Sequence, residues 1–115
     1  MMVRLFILLL CFGMHSGVAH AHTGGHGPVD EQQARQIALK VAEQLAERDA
    51  GLGFGKLEPS WTGLPIEAVA IHRKGEGYYI VRVEHAGEDR TLFVLMSIAG
   101  EVYDANFSGK FQGLE

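Results

Sequence analysis

Apolar residues recur along this chain with two different periods. Ala34, Ile37, Ala38, Val41, Ala42 and Leu45 stand three and four positions apart. That spacing lines up one face of an α-helix. Arg35, Lys40, Glu43, Glu47 and Arg48 fall off the stripe and give a face of mixed charge. Asp30 stands where an N-cap belongs, and Gln33, three residues on, completes a capping box. Glu31 puts a negative charge in the first turn, where the helix dipole favours it. Gly51 is expected to end the helix, with "GLGFGK" as a loop. The segment 57–64, "LEPSWTGL", reads as an irregular linker, and its Trp61 as a plug at the end of the core.

From Pro65 onward the period falls to two. "IEAVAIHR" (66–73) alternates weakly, and "KGEG" (74–77) is a turn. That turn is expected to set Arg73 opposite Tyr78, and His72 near Tyr79. "YYIVRVEH" (78–85) puts Tyr79, Val81 and Val83 on one face, with Ile80, Arg82 and Glu84 on the other. "AGED" (86–89) is a second turn, and "RTLFVLMSI" (90–98) is the most apolar strand. "AGE" (99–101) turns again into "VYDANFSG" (102–109). Short turns between successive strands give an antiparallel meander. The expected fold is α+β: one amphipathic helix packed on a four-stranded antiparallel sheet, a two-layer sandwich.

The start of the chain obeys neither period. Arg4 is followed by an apolar run, Leu5–Met14, broken only by Gly13, and then by small residues. Basic, apolar and small-residue zones in that order make a secretory signal peptide. A run of ten residues is half the roughly 20 that a membrane-spanning helix needs. Ala19-His20-Ala21 places cleavage after Ala21, with Ala19 as the alternative. The expected organisation is a signal peptide at 1–21, a flexible His/Gly-rich lead-in at 22–29, and a single α+β domain at 30–115. The protein is then periplasmic or secreted, with no membrane attachment after cleavage.

Charge and residue types narrow the function. The chain carries a net −4, and loss of Arg4 with the leader takes the mature protein to −5. That balance argues against nucleic acid, whose binders present basic faces. The single cysteine, Cys11, lies in the leader, so the mature chain has no thiolate or disulfide chemistry. Ser60, Ser97 and Ser108 lie in no nucleophile-elbow pattern. "GLGFG" lacks the Lys-Ser/Thr ending of a phosphate loop. His72 and His85 end strands and read as surface or edge residues, and Glu84, Glu101 and Asp104 as a solvated face. No nucleophile, base and electrophile stand together, so the chain reads as no enzyme and carries no catalytic or cofactor-binding residues.

One stretch retains chemistry. "AHAHTGGHG" (19–27) holds three of the six histidines. Cleavage after Ala21 makes His22 the N-terminus. Its amine and imidazole then suit Cu(II) in a tetragonal nitrogen set, with His26 free to close on the same ion. Cleavage after Ala19 makes His20 the terminus and His22 the third residue, a square-planar arrangement for Cu(II) or Ni(II). The candidate metal ligands are therefore His22 and His26, with His20 only for the earlier cut. Zinc fits less well without a thiolate. Trp61 is the candidate contact for a ligand or protein partner. A divalent ion or an exported protein are the partners these residues suggest.

Three stretches carry a resemblance: "AHTGGHGPVDEQQA", "KLEPSW" and "TLFVLMSIAGEVYDANFSGK". In their order they resemble an uncharacterised family of short exported bacterial proteins, a domain of unknown function with a Gly/His-rich mature N-terminus. That resemblance implies no particular activity. "SIAGEVYDANF", with Gly100 at its turn, is also similar to the strand–turn–strand ending of PepSY-type domains. This second similarity implies a non-catalytic module for protein interaction or peptidase inhibition, with no metal role.

Overall fold

Helix α1, Glu31–Glu47, starts where the capping box places it. The Asp30 carboxylate accepts the Gln33 N–H at 2.8 Å, and the Gln33 side chain accepts the Asp30 N–H at 3.0 Å. Two otherwise orphaned backbone donors are thereby satisfied. Ala34, Ala38, Val41, Ala42, Leu45 and Ala46 are all buried, so the periodic stripe is the packed face. The helix stops at Glu47, short of Gly51, because Arg48 turns to extended backbone. The returning chain uses the freed end: the Leu57 N–H donates to the Leu45 carbonyl.

The computed structural model describes residues 27–114. Four strands follow the helix: β1 Val69–Gly75, β2 Tyr78–His85, β3 Arg90–Ser97 and β4 Val102–Asn106. They form one antiparallel sheet in the order β1-β2-β3-β4, a simple meander. The α+β reading, one helix on a four-stranded antiparallel sheet, is the fold observed.

Val69, Tyr79, Val81, Val83, Leu92, Val94, Met96, Val102 and Ala105 join the buried helix residues in one core cluster. Each fully buried Val or Leu there contributes about 1.5–3 kcal/mol relative to exposure. Trp61 closes that core with 0% of its surface exposed. It sits on a 3-10 segment, Pro59–Gly63, within the expected linker.

Three boundaries differ from expectation. Residues 66–68 form a 3-10 turn, not the start of β1. Arg35 explains this, reaching from the helix to donate to the Ile66 and Val69 carbonyls at 3.1 and 2.9 Å. Those carbonyls serve the helix and leave pairing to begin at Val69. β1 also carries a bulge between Ile71 and Arg73 that leaves His72 unpaired. The turn between β1 and β2 is only Glu76–Gly77, so Gly75 faces Tyr78, Lys74 faces Tyr79, and Arg73 faces Ile80, in place of the expected Arg73–Tyr78 pairing. β4 ends at Asn106 and not at residue 109, because Phe107 turns in to pack on Trp61 and Phe54.

Candidate functional site

The richest polar grouping in the described residues lies where β2 leaves the sheet. His85, expected at the surface, is buried at 8% exposure. Its Nδ1 accepts the Glu88 N–H at 3.2 Å, capping the 3-10 turn Ala86–Glu88. Its Nε2 meets the Ser60 hydroxyl at 2.7 Å. The Trp61 ring packs beside it at 4.9 Å, so one residue pair, Ser60-Trp61, supplies both neighbours. The Trp61 indole N–H donates to Glu88 Oε1 at 3.1 Å. Arg90 faces the same carboxylate oxygen at 3.7 Å and lies over the Phe107 ring at 3.8 Å.

A serine against a histidine invites comparison with a nucleophile and its base. The hydrogen bonds assign the opposite roles. A nitrogen that accepts a backbone N–H has no proton of its own, so neutral His85 carries its hydrogen on Nε2. Nε2–H then donates to Ser60 Oγ. A catalytic base must instead take the serine proton on Nε2, with Nδ1–H donating to a carboxylate. Here the Nδ1 partner is itself a donor, and Glu88 spends its carboxylate on Trp61 and Arg90. The arrangement locks the Trp61 segment to the end of the sheet and leaves Ser60 unactivated.

The opposite end of the sheet fixes the point where the chain enters the fold. The Val29 N–H donates to the Ile98 carbonyl at 2.7 Å, and the Tyr79 hydroxyl donates to the Val29 carbonyl at 2.9 Å. Gly100 makes room for this contact. A Cβ there would stand 2.9 Å from Ile37 Cδ1 and 3.3 Å from Val29 Cγ1, at a φ of +90° that side chains rarely adopt. Val29, the last residue of the expected lead-in, is thus tied to the domain. His20, His22 and His26 lie outside the described residues, as does the 1–21 leader.

A family model described as a family of unknown function (DUF6488) matches residues 1–110. The chain belongs to that family. The DUF6488 match runs through the entry segment, the helix and all four strands. The chain matches no curated protein and no solved structure.

The remaining candidates divide by position. Trp61 is enclosed, so its ring has no exposed face in this structure. His72 lies on the other side of the sheet from the core, edge-on to Phe93 at 4.9 Å. Among the described residues, no three His, Cys, Asp or Glu side chains group as a metal set. No described helix is long and apolar enough to cross a membrane. A shallow groove along α1 is lined by Gln32, Gln36, Leu39, Lys40, Glu43 and Ile66, with no concentration of one charge. Glu88 and Arg35 are the structural polar residues that the sequence pattern hid. One stands in a turn and the other off the apolar stripe, and neither position signals a buried partner.

Proposed function

We propose that this DUF6488 chain is a small exported, non-enzymatic binding protein, and that its processed N-terminus binds Cu(II) or Ni(II). The observation that carries the reading is the sequence "AHAHTGGHG", in which a signal-peptidase motif is written over a histidine cluster. Cleavage after Ala21 frees an amine on His22, with His26 four residues away, and supplies nitrogen ligands suited to these ions. Clustered histidines are a metal-binding composition in their own right.

Two structural facts support the division of labour. The Ser60–His85 pair is wired for structure, with its hydrogen bonds running against base catalysis. The tie of Val29 to Ile98 and Tyr79 places the chain's entry at one defined point, three residues after His26. In this reading the folded domain is a carrier and the terminus is the ligand set.

Mass spectrometry of the exported protein identifies the mature N-terminus and so the available geometry. Copper titration with and without residues 22–26 then tests the role. Saturable binding that disappears with the segment is the expected result. Affinity unchanged by its removal, or a mature chain starting after His26, rejects the metal reading.

The alternative is a PepSY-like interaction or peptidase-inhibitor module. The exposed Tyr103 on edge strand β4, at 46%, favours a contact there. The bulges in β1 and at the β3–β4 pairing disfavour simple strand addition, since an irregular edge offers a poor template. A stable complex recovered from exported proteins by the tail-less chain is the result that selects this alternative.

A further inference from the structure

Histidine is the side chain whose ordinary charge change falls between about pH 5 and 8. Of the two histidines among the described residues, His72 is exposed and His85 is buried. Both ring nitrogens of His85 are committed, and in opposite senses. Nδ1 accepts the Glu88 N–H at 3.2 Å, and Nε2–H donates to the hydroxyl of the exposed Ser60 at 2.7 Å. An imidazolium has two donors and no acceptor. A second proton goes on Nδ1, where it stands against the Glu88 N–H, donor to donor. Protonation of the ring and capping of the turn therefore exclude each other.

The cap is what places Glu88, whose carboxylate in turn holds the Trp61 indole N–H at 3.1 Å. The turn itself spans only Ala86–Glu88. Closing it sets Asp89 in the left-handed region, at φ +55°, a backbone cost that the cap offsets. Two charged groups stand on the elements packed against the ring. Glu88 belongs to its own turn, and Arg90 is its register partner on β3, 3.7 Å from the Glu88 carboxylate. The segment Pro59–Gly63 brings the Ser60 hydroxyl and the Trp61 indole, neither of which titrates in this range. Asp89 is exposed beyond the turn, and Glu84 on β2 pairs with Arg82 at 3.0 Å. The anionic acceptor for a protonated Nδ1 is thus the Glu88 carboxylate.

We propose that His85 is a pH-operated latch on Trp61: the neutral ring closes the Ala86–Glu88 turn, and the protonated ring opens it and frees the Pro59–Gly63 segment with its tryptophan. On protonation, Nδ1–H turns from the Glu88 N–H to the Glu88 carboxylate. Drawing that carboxylate away leaves the Trp61 indole N–H without its acceptor. A buried donor left unpaired is costly, so the ring moves toward water. Arg90 loses the same carboxylate but keeps its place over the Phe107 ring at 3.8 Å. Trp61 is the largest of the fully buried side chains, and its release makes an enclosed aromatic accessible. The partner contact read from the sequence thereby acquires a condition: Trp61 is closed at neutral pH and presented in acid. This inference is independent of the metal reading.

Trp61 is the single tryptophan, so fluorescence reports on it alone. Acrylamide quenching of the full-length chain, followed from about pH 8 down to about pH 5, is expected to become severalfold more efficient. His85→Asn keeps an acceptor for the Glu88 N–H, since asparagine is a strong N-cap residue, and it carries no charge at any pH. Its quenching stays at the low level throughout. A flat wild type overturns the latch, as do equal rises in the two chains. Should His85→Asn not fold, NMR of the wild type decides without a variant. Its ring-nitrogen shifts should show Nδ1 unprotonated at high pH. Exchange protection of the Glu88 amide should then fall together with ring protonation, while the Leu92 and Val94 amides keep theirs. A ring that gains its proton with the Glu88 amide still protected overturns the latch. So does a ring that stays neutral to the acid end of the range, or a loss of protection throughout β3 in the same transition.

Discussion

The two faces of the sheet are covered by elements of opposite kind. The inner face meets α1, which satisfies its own backbone and arrives capped by Asp30 and Gln33. The side chains it lays on the sheet contribute apolar surface, from Ala34, Ala38, Val41 and Leu45, while Arg35 at its margin holds the Ile66 and Val69 carbonyls. The outer face, which carries Ile80, Phe93 and Leu95, meets a strap, residues 108–114, that has no helical hydrogen bonds and exchanges two with Asn106. A self-satisfied element can cover a wholly apolar face, whereas an irregular one needs polar groups on the face it covers. The outer face supplies them through Asn106, at the end of β4.

Breaking each cover in turn should rank them. Leu92→Ala, on the inner face, opens a cavity in fully packed surroundings and is expected to cost about 2–5 kcal/mol. Phe111→Ala is expected to cost about 1–2 kcal/mol, within the range of ordinary point changes. Its loss is capped by the free energy holding the strap, since the strap detaches before the sheet opens. Urea unfolding midpoints compare the two. Equal costs would mean that strap and core form one cooperative unit. Asp30→Ala leaves the inner face intact and weakens only the start of its cover, at a cost of about 1 kcal/mol. Hydrogen exchange should then rise at the Gln33 amide, while Leu92 and Val94 amides keep their protection.

The inner face was legible in the sequence, and the outer one was not, for a physical reason. A helix announces itself through period and cap, both local, and the stripe from Ala34 to Leu45 and the Asp30–Gln33 box stand as written. Alternation in "YYIVRVEH" correctly separated Val81 and Val83 from Ile80 and Arg82. It could not say that Ile80 is buried too, because what covers an outer face is encoded some thirty residues away. "FSGKFQG" has no period to mark it as a cover. The polar residues were hidden in the same way. Arg35 reads as solvent-facing from its place on the helix, yet it holds Ile66 and Val69 across 31 and 34 residues. His85 reads as a strand end, and its burial depends on Ser60 and Trp61 from another segment. The expected Trp61 plug held because a lone tryptophan between helix and sheet has few other places to go. The histidines of the entry segment are chemistry that sequence alone presents, since His20, His22 and His26 lie outside the described residues.

The smallest expected effect is the most specific to the outer face. Burial raises the Asp104 carboxyl above its ordinary value of 3.8, and the hydrogen bond from the Ala105 N–H partly opposes that rise. Below the ordinary value the folded and unfolded chains both hold the proton, and Asp104 places no charge on the outer face. As pH rises from there, the unfolded chain ionises first and the folded chain follows only at its raised value, so stability falls across that window. Above the raised value the loss is complete and constant. Asp104→Asn keeps an oxygen for the Ala105 N–H and never ionises. It should therefore raise the unfolding midpoint at pH above the raised value, with the advantage shrinking to nothing as pH drops below the ordinary aspartate value. An advantage that persists unchanged in acid would trace the effect to packing. If the strap is what desolvates the carboxyl, the same substitution should gain less in the Phe111→Ala background. That double-mutant difference reports directly on whether the strap is what desolvates Asp104.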